Sequence, residues 1–356
     1  MTALLDAIDE ASALDDLHRL GCTDGLPVVI PTPARVDAMV LASGLDGDLV
    51  LGTMGPAGGV ASVRLVATAA VMAGCTPEHI AVVVAAVRAV ADERFDLAEM
   101  QATTHCTAPL IIVNGPARQA CGGISGGYGA LGPGLRANAS IGRALRLAMI
   151  NIGGGRTGSS DMALLGHPGK FAYCFGEDEE NSPFTPLHVH LGHDPIDSAV
   201  TVVGAGAPQS VMVLTDADDP GSADRILDAL SSALTSIGSN NAILGGGTAI
   251  VLINPGHAET LAGAGHDRNS IAEQITARAV NDAQTMAKAF RGLDPNTDTT
   301  YPCLSDPADL IVAVAGGAGV YSAVMDTWVL GPHRNAPVTV GIELDQSCEI
   351  PWADQG

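Results

Sequence analysis

The stretch APLIIVNGP at residues 108–116 indicates how this chain folds. Its apolar run, 109–113, is typical of a buried strand, and the Asn-Gly-Pro that follows it supplies the turn residues that end a strand. A second stretch, AIVLINPG at 249–256, repeats the pattern. Because apolar helices are predicted around both strands, the sequence predicts an α/β fold with mixed sheets covered by helices.

Two segments ahead of the first strand are strongly apolar. Residues 60–74 and 77–92 are predicted to form helices, with Thr76 as the N-cap of the second. Helices this apolar must be buried on more than one face, against a sheet or another subunit, so we expect a homo-oligomer that buries them. Other helices are predicted at 1–20, 33–44, 138–151, 223–237 and 270–286, and other strands at 26–30, 199–203, 248–253, 310–315 and 338–344.

Two long stretches of the chain resemble each other. Residues 62–155 and 223–320 each contain a helix, an apolar strand that ends at Asn, a loop, a second helix and a Gly-rich turn. This order predicts an internal duplication with two pseudo-symmetric αβα halves, although αβα units also resemble one another without a duplication. The predicted organisation is an N-terminal helical and extended segment (1–60), a first α/β half (61–200) and a second half (201–356).

The composition excludes several classes of function. The chain carries 39 acidic and 17 basic residues, and a net charge of −22 would repel a phosphate backbone, so no nucleic-acid partner is expected. No window has the length and apolarity of a membrane span, and residues 1–20 lack a basic leader. Seven cysteines without a CxxC pair are typical of reduced thiols. We expect a cytoplasmic enzyme for a small molecule, without a nucleotide-cofactor motif.

The polar segment 151–195 is the strongest candidate for a site, because long irregular stretches in compact domains are frequently functional. Glu177 and Glu180 lie three residues apart in a dense acidic run, which favours raised pKa values and general acid–base catalysis. A solvated acidic turn is the alternative interpretation. The candidate substrate-binding residues are Asn114, at the end of the first strand, and, within the segment, Arg156, Ser159 and Lys170.

Cys174 lies in the same segment and is a candidate catalytic nucleophile. Cations such as Lys170 or Arg156 beside a thiol would lower its pKa and favour the reactive thiolate. The neighbouring carboxylates oppose this ionisation, and a buried, inert cysteine is the alternative.

Three histidines, His188, His190 and His193, lie near the end of the segment. In an extended chain, His188 and His190 would point to the same side. With His193 and a carboxylate from the acidic run, they would form a zinc-type site with an open position. No HExxH or cysteine-pair pattern supports a metal, and solvated histidines on a surface turn are the alternative.

His105 ends the sequence QATTH (101–105) ahead of the first strand and is a further candidate catalytic residue. It would act by reaching across to the segment 151–195, whereas a structural histidine at a strand end is the alternative. Ligands of α/β folds bind at loops beyond the sheet edge. We therefore predict that one pocket brings together His105, Cys174, Glu177, Glu180 and His188.

Six segments that span most of the chain carry a resemblance: DGLPVVIPT (24–32), QATTH (101–105), APLIIVNGP (108–116), GRALRLAMINIGG (142–154), LGHPGKFAYCFGEDEENSPFTPLHV (165–189) and GSNNAILGGG (238–247). In these segments the chain resembles a poorly characterised bacterial family. Its members are often encoded with, or fused to, a short domain bearing a UGSC or CGSC (seleno)cysteine motif, which this chain lacks. The resemblance implies at most a small thiol or redox partner protein, favours thiol-linked chemistry and transfers no activity.

Three functional hypotheses follow. The first is an enzyme of hydrolase or lyase type that acts on a small polar molecule through carboxylates and histidine, with or without a divalent metal such as zinc. The second is a thiol-dependent oxidoreductase, or its subunit, that uses Cys174. The third is a non-catalytic binding or assembly subunit. Tightly bound zinc would favour the first hypothesis, and rapid alkylation confined to Cys174 would favour the second.

Overall fold

A computed structural model describes residues 7–216 and 218–344. The helices in this part of the chain are α1 (Glu10–Arg19), α2 (Pro33–Ala42), α3 (Val63–Ala73), α4 (Ile80–Ala91), α5 (Leu97–Ala102), α6 (Ala117–Ala120), α7 (Arg136–Asn151), α8 (Leu187–His190), α9 (Ser222–Leu234), α10 (Asn240–Leu244), α11 (Pro255–Gly263), α12 (Arg268–Arg278) and α13 (Ala283–Met286). None of these described helices is long and apolar enough to cross a membrane.

The strands in the described part of the chain are β1 (Val50–Met54), β2 (Gly59–Ser62), β3 (Ala108–Asn114), β4 (Cys174–Gly176), β5 (Ala199–Ala205), β6 (Gln209–Met212), β7 (Ala249–Ile253), β8 (Val280–Asp282), β9 (Thr300–Pro302), β10 (Leu310–Val314), β11 (Tyr321–Met325) and β12 (Val338–Gly341). Two four-stranded sheets dominate, with the orders β12-β5-β3-β4 (sheet 1) and β6-β11-β7-β10 (sheet 2). Both are mixed and packed against helices, so the predicted α/β class is confirmed.

The two sheets lie face to face between layers of helices. In β3, Ile111 and Val113 pack with residues of α3, α4 and α7, whereas Leu110 and Ile112 share a cluster with residues of β7. Successive side chains of a strand point to opposite faces, so β3 faces a helical layer on one side and sheet 2 on the other. Sheet 2 packs in the same way against α9, α11 and α12. The core is therefore a four-layer α/β/β/α sandwich.

The two halves share strand order and strand direction. In sheet 1 the central β3 is parallel to β4 and antiparallel to β5, which is antiparallel to β12. In sheet 2 the central β7 is parallel to β10 and antiparallel to β11, which is antiparallel to β6. The contacts of α4 with β5 and β12 match those of α9 with β11 and β6. This agreement supports the predicted duplication, whose sheets extend beyond the predicted limits 62–155 and 223–320.

The edge strands are exchanged between the halves. After β5 the chain leaves sheet 1 and forms β6, the edge of sheet 2; after β11 it returns and forms β12, the edge of sheet 1. Each sheet therefore receives one edge strand from the segment that comes directly after a strand of the other sheet. β6 follows β5 of sheet 1 and joins sheet 2, and β12 follows β11 of sheet 2 and joins sheet 1.

The apolar helices α3 and α4 are buried within a single chain. α3 packs against α2 and α7, while α4 packs against β1, β5 and β12. Eight of the eleven residues of α3 and nine of the twelve of α4 are buried. The reason given for a homo-oligomer is therefore wrong, because one chain suffices to bury both helices, and the oligomer itself stays a prediction.

Several predicted boundaries are wrong. Residues 26–30 form no strand, and the helix expected at 60–74 begins only at Val63, because 59–62 pair with β1. The helix expected at 270–286 ends at Arg278, and Val280–Asp282 form β8. Asp282 then accepts a hydrogen bond from the backbone of Thr285 and begins the separate helix α13. The first six residues of the helix expected at 1–20 lie outside the described residues.

Candidate functional site

The candidate residues lie at two opposite ends of sheet 1. β3 and β4 are parallel and start at the same end, where β5 finishes. His105 precedes β3 at this end, and Asn114 and Glu177 follow β3 and β4 at the other. Seven residues of strand separate the ends by about 20 Å. The predicted convergence of His105, Cys174, Glu177, Glu180 and His188 on one pocket is therefore wrong. We call the two regions the His105 end and the Asn114 end.

At the Asn114 end, Glu177 connects the two sheets. Its side chain is fully buried and accepts hydrogen bonds from Asn114 Nδ2 (2.6 Å), the Leu187 amide (2.7 Å) and the Val314 amide (3.2 Å). It also forms an ion pair with Arg268 Nη2 at 2.5 Å. Val314 belongs to sheet 2 and Arg268 to α12, so this group, the Glu177 brace, joins the halves. Its four donors leave the carboxylate no free position for a substrate.

The other carboxylates of the acidic run bind Arg118. Glu179 lies 2.9 Å from Arg118, accepts from the amide of Gly115 and is almost buried, while Glu180 binds Arg118 at 2.8 Å and is largely exposed. The hydrogen bond from Arg118 lowers the pKa of Glu180. A run of like charges predicted a raised pKa, but the pKa of Glu180 is lowered, because Arg118 binds both Glu179 and Glu180. No local pattern in the sequence indicates that Arg118 lies there.

The three predicted metal-binding histidines do not form a group. Residues 187–190 are the helix α8 and are not extended, so His188 and His190 do not share a face. His188 is buried, and neither ring nitrogen has a hydrogen-bond partner, whereas His190 lies at the surface. Burial lowers the pKa of His188 and leaves it a neutral imidazole. Within residues 7–216 and 218–344, no three His, Cys, Asp or Glu side chains are placed to hold a metal ion.

Cys174 is the first residue of the edge strand β4 and pairs with Ile111, the central residue of β3. It is 4% exposed, and burial raises the pKa of its thiol far above the ordinary value. Neither Lys170 nor Arg156 acts on it as the sequence suggested. This environment favours the alternative interpretation of a buried, inert cysteine.

At the His105 end, two loops lie side by side. The amide of Met162 donates to Gln101 O (3.0 Å), and the amide of Leu164 donates to Thr104 O (3.1 Å). Lys170 Nζ donates to Thr107 O at 3.0 Å. The segment 151–195 therefore reaches the residues around His105, as the sequence allowed, but does so through 162–170 and at the start of the strand.

Two cations at this end share one buried carboxylate. The side chain of Asp161 is only 1% exposed. It lies 2.9 Å from Arg146 and 3.0 Å from Lys170. Burial opposes ionisation of Asp161, but the two cations outweigh it and hold the pKa of the carboxyl below its usual range. Burial also lowers the pKa of Lys170, an effect that Asp161 opposes. The two cations outnumber the single carboxylate, so the three side chains together carry a net positive charge.

These cations line an open cleft of about 600 Å³. Arg156 is exposed at its edge, where its guanidinium donates to the carbonyl of Gly21. Of the predicted substrate-binding residues, Lys170 and Arg156 line the cleft, exposed Ser159 lies in the adjoining turn, and Asn114 lies at the other end of the sheet. We call this feature the cationic cleft; it is lined most notably by Arg146, Arg156, Asp161, His167 and Lys170.

His167 forms part of the cleft wall and is held in one orientation. Its Nδ1 accepts a hydrogen bond from the Gly169 amide (3.1 Å), and its ring meets Tyr173 edge to face at 5.4 Å. Burial lowers the pKa of His167 to about 4, an effect that the backbone of Ala205 partly opposes. The imidazole is therefore neutral at pH 7. Because Nδ1 is an acceptor, Nε2 carries the proton, and Nε2 is buried without a fully formed hydrogen bond.

A second imidazole, His105, lies close enough to His167 to act on it electrostatically. His105 Nε2 is 3.7 Å from Asp326 Oδ2, while its Nδ1 is buried without a partner. Burial opposes ionisation of Asp326, but the nearby His105 imidazole and the hydrogen bond from the Asn240 amide outweigh it and lower the pKa of the carboxyl. An anionic Asp326 therefore orients His105 with Nε2 protonated and Nδ1 free to accept.

Asp326, Arg146 and His167 were not among the predicted site residues. Asp326 follows β11 in the other half of the chain, 221 positions away by number from His105, and no local pattern connects them. Arg146 lies within a predicted helix, where a cation is unremarkable. The sequence pointed only weakly to His167, through its position in the polar segment directly before Pro168.

The second half contains a cavity in the equivalent place. The cationic cleft lies beside α7 and the turn Pro168–Lys170 that leads to β4. A cavity of about 210 Å³ lies beside α12 and the turn Pro307–Asp309 that leads to β10. Its lining is mostly apolar, and Arg268 within it is neutralised by Glu177. The equivalent positions thus differ in charge.

Comparison with protein-family models, with curated proteins and with solved structures gives no match to this chain. The resemblance to the family associated with UGSC domains, and the small thiol or redox partner that it implies, therefore stay predictions.

Proposed function

We propose that this protein is an enzyme of hydrolase or lyase type that acts on a small anionic molecule in the cationic cleft. The observation that carries the proposal is a pair of neighbouring imidazoles: His167 lines the cleft together with three cations, and His105 lies near His167 with its Nδ1 buried without a hydrogen-bond partner. Unpaired buried polar atoms are uncommon and costly in folded proteins, and they cluster where a ligand completes them.

The cations would bind the anionic group. Asp161 fixes Arg146 and Lys170 in place, so the charge is preorganised before any ligand arrives. Arg156 is available at the edge for a carboxylate or a phosphate. In a chain of net charge −22, a cleft lined by three cations is a specific feature.

The two histidines would have complementary roles. His105, oriented by Asp326, presents Nδ1 as a proton acceptor, toward either the substrate or a water molecule. His167, kept neutral by burial, presents Nε2–H as a hydrogen-bond donor to a developing negative charge. Bound anion also favours the imidazolium form, so we expect the pKa of His167 to rise from about 4 when the cleft is occupied.

Binding is tested with acetate and inorganic phosphate by NMR of the histidine rings. The His167 signals should titrate at higher pH when either anion is present, and Arg156→Gln should weaken binding about tenfold by removing one charge-assisted contact. Arg225→Gln, which alters an exposed arginine paired with Asp219 in the second half, is the matched control and should bind normally. If neither anion shifts the His167 titration, the proposal is wrong.

Turnover is tested by incubating the protein with a mixture of small carboxylates and phosphate esters and following each compound by NMR. A compound consumed by the wild type should be consumed about 10² to 10⁴ times more slowly by His105→Asn, because a general base contributes about that factor. Cys174→Ala should retain turnover, since the thiol is buried. Unchanged turnover in His105→Asn would contradict the assigned role, and loss of turnover in a folded Cys174→Ala protein would favour thiol chemistry instead.

A further inference from the structure

We infer that the cationic cleft takes an amphipathic anion: a carboxylate or phosphate joined to an unbranched apolar chain of several carbons. This inference rests on the proposed function and names the substrate class of the same site. It is carried by the division of the cleft into a charged part and an apolar part.

The charged part is fixed and partly buried. The side chains of Arg146 and Lys170 are only 12% and 16% exposed, and both are held by Asp161. A single carboxylate or phosphate would bind there and at Arg156, but it would occupy a small fraction of about 600 Å³. Binding sites bury most of the surface of their ligands, so the remaining volume calls for a larger molecule.

The apolar part comes mainly from the loop 165–171 and is largely exposed there. Leu165 is 96% exposed and Phe171 is 46% exposed, and both line the cleft, as do Pro168 and the buried Ile150. Single exposed apolar side chains need no explanation, but two large ones on a concave surface beside bound cations indicate an apolar ligand group. The aromatic content of this chain is only 3%, which makes a half-exposed Phe in a cleft more notable.

The charge and the apolar surface together identify the ligand. The apolar surface alone would fit any apolar molecule, and the cations alone would fit any small anion. Because Lys170 and Phe171 are adjacent in the chain and line one cleft, both kinds of surface contact the same ligand. Each methylene that leaves water on the Leu165 side adds about 0.8 kcal/mol, which is a factor of three to four in Kd.

The test measures Kd for acetate, butyrate, hexanoate and octanoate by calorimetry. We expect the Kd to fall about three- to fourfold per added methylene, until the chain outgrows the cleft. Leu165→Ser and Phe171→Ser should flatten this dependence while leaving acetate binding unchanged. Leu164→Ser is the matched control, because Leu164 is 78% exposed but does not line the cleft. Arg156→Gln should weaken every acid by the same factor and keep the dependence on length.

The other outcomes of this experiment distinguish a failure of the inference from a failure of the proposed function. If all four acids bind with equal Kd, or if the dependence on length survives in Leu165→Ser and Phe171→Ser, the inference is overturned while the proposed function stands. If none of the acids binds to the folded protein, the proposed function fails as well. Octan-1-ol should bind at least tenfold more weakly than octanoate, and equal binding would overturn recognition of the anion. If the protein binds phosphatidylglycerol vesicles but not octanoate, the inference that the ligand is a soluble molecule is overturned.

Discussion

Glu177 shows how burial decides the role of a single residue. A fully buried carboxylate is costly unless it is paired and hydrogen-bonded, and here an arginine, a side-chain amide and two backbone amides satisfy it. The pattern Glu-Asp-Glu-Glu is consistent with an acid–base pair, but it does not show that one carboxylate lies inside the protein and another at the surface.

We predict that Glu177→Gln destabilises the fold. The neutral side chain leaves Arg268 buried without its counter-ion, and such a loss costs about 3–5 kcal/mol. The measurement is the free energy of unfolding in urea at pH 7. Glu180→Gln is the matched control; because Glu180 is largely exposed, its loss should cost less than about 1 kcal/mol. A wild-type stability for Glu177→Gln would contradict the structural role assigned to Glu177.

At the scale of elements, the sequence predicts what is local. The strands β3, β5, β7 and β10 and the helices α7 and α9 lie close to where their apolar patterns predict them. The short strands β4, β6 and β11 were missed, because β4 has only three residues and β6 has one buried position in four. Their pairing depends on contacts far along the chain, which local patterns do not show.

The candidate site was also only partly predictable, because local patterns show which segments are polar but not which segments meet. The polar segment and His105 were identified from sequence, and the structure brings them together. Which part of the segment meets His105 depends on the direction of β4 relative to β3, and the two strands are parallel. The sequence therefore identified contributing segments, but it did not show that His105 and the carboxylates Glu177 and Glu180 lie at opposite ends of the sheet.

The exchange of edge strands leads to a prediction about fragments. A fragment 1–206 lacks β12 and leaves the edge of β5 unpaired, so we expect it to be insoluble when produced alone. Co-production with 207–356 should restore solubility, because β12 can add to β5 as a separate chain. The measurement is co-purification through a tag on the first fragment. Fragment 207–336, which ends before β12, is the matched control and should not restore solubility; soluble 1–206 without any partner would contradict the idea.

For the whole molecule, buried histidines make stability depend on pH. Burial lowers the pKa of His79, His188 and His257, and lowers that of His167 to about 4. Each of these groups binds protons more readily when the chain is unfolded, where its pKa is about 6.5. Their contribution to stability is thus intact above pH 6.5 and is lost as the pH falls through the window from 6.5 toward 4.

We predict that the free energy of unfolding decreases between pH 6.5 and pH 5, before most carboxylates titrate. The loss should continue below pH 4, where the salt-bridged Asp24, Asp161 and Asp326, whose pKa values are lowered in the folded state, become protonated. Urea unfolding at several pH values measures the slope. A stability that stays constant from pH 7 to pH 5 would show that the buried histidines do not bind protons on unfolding.

The exchanged strand β12 also constrains when the protein can fold during synthesis. Val202 of β5 pairs with Val338, so sheet 1 is completed only after β12 has left the ribosome. Until then the emerging first half has an open strand edge and an incompletely covered α4. Contacts between residues this distant in sequence form slowly, and open edges are sites of aggregation. The newly made chain is therefore vulnerable from the synthesis of β5 until that of β12, and it depends during that interval on rapid synthesis or on protection by chaperones.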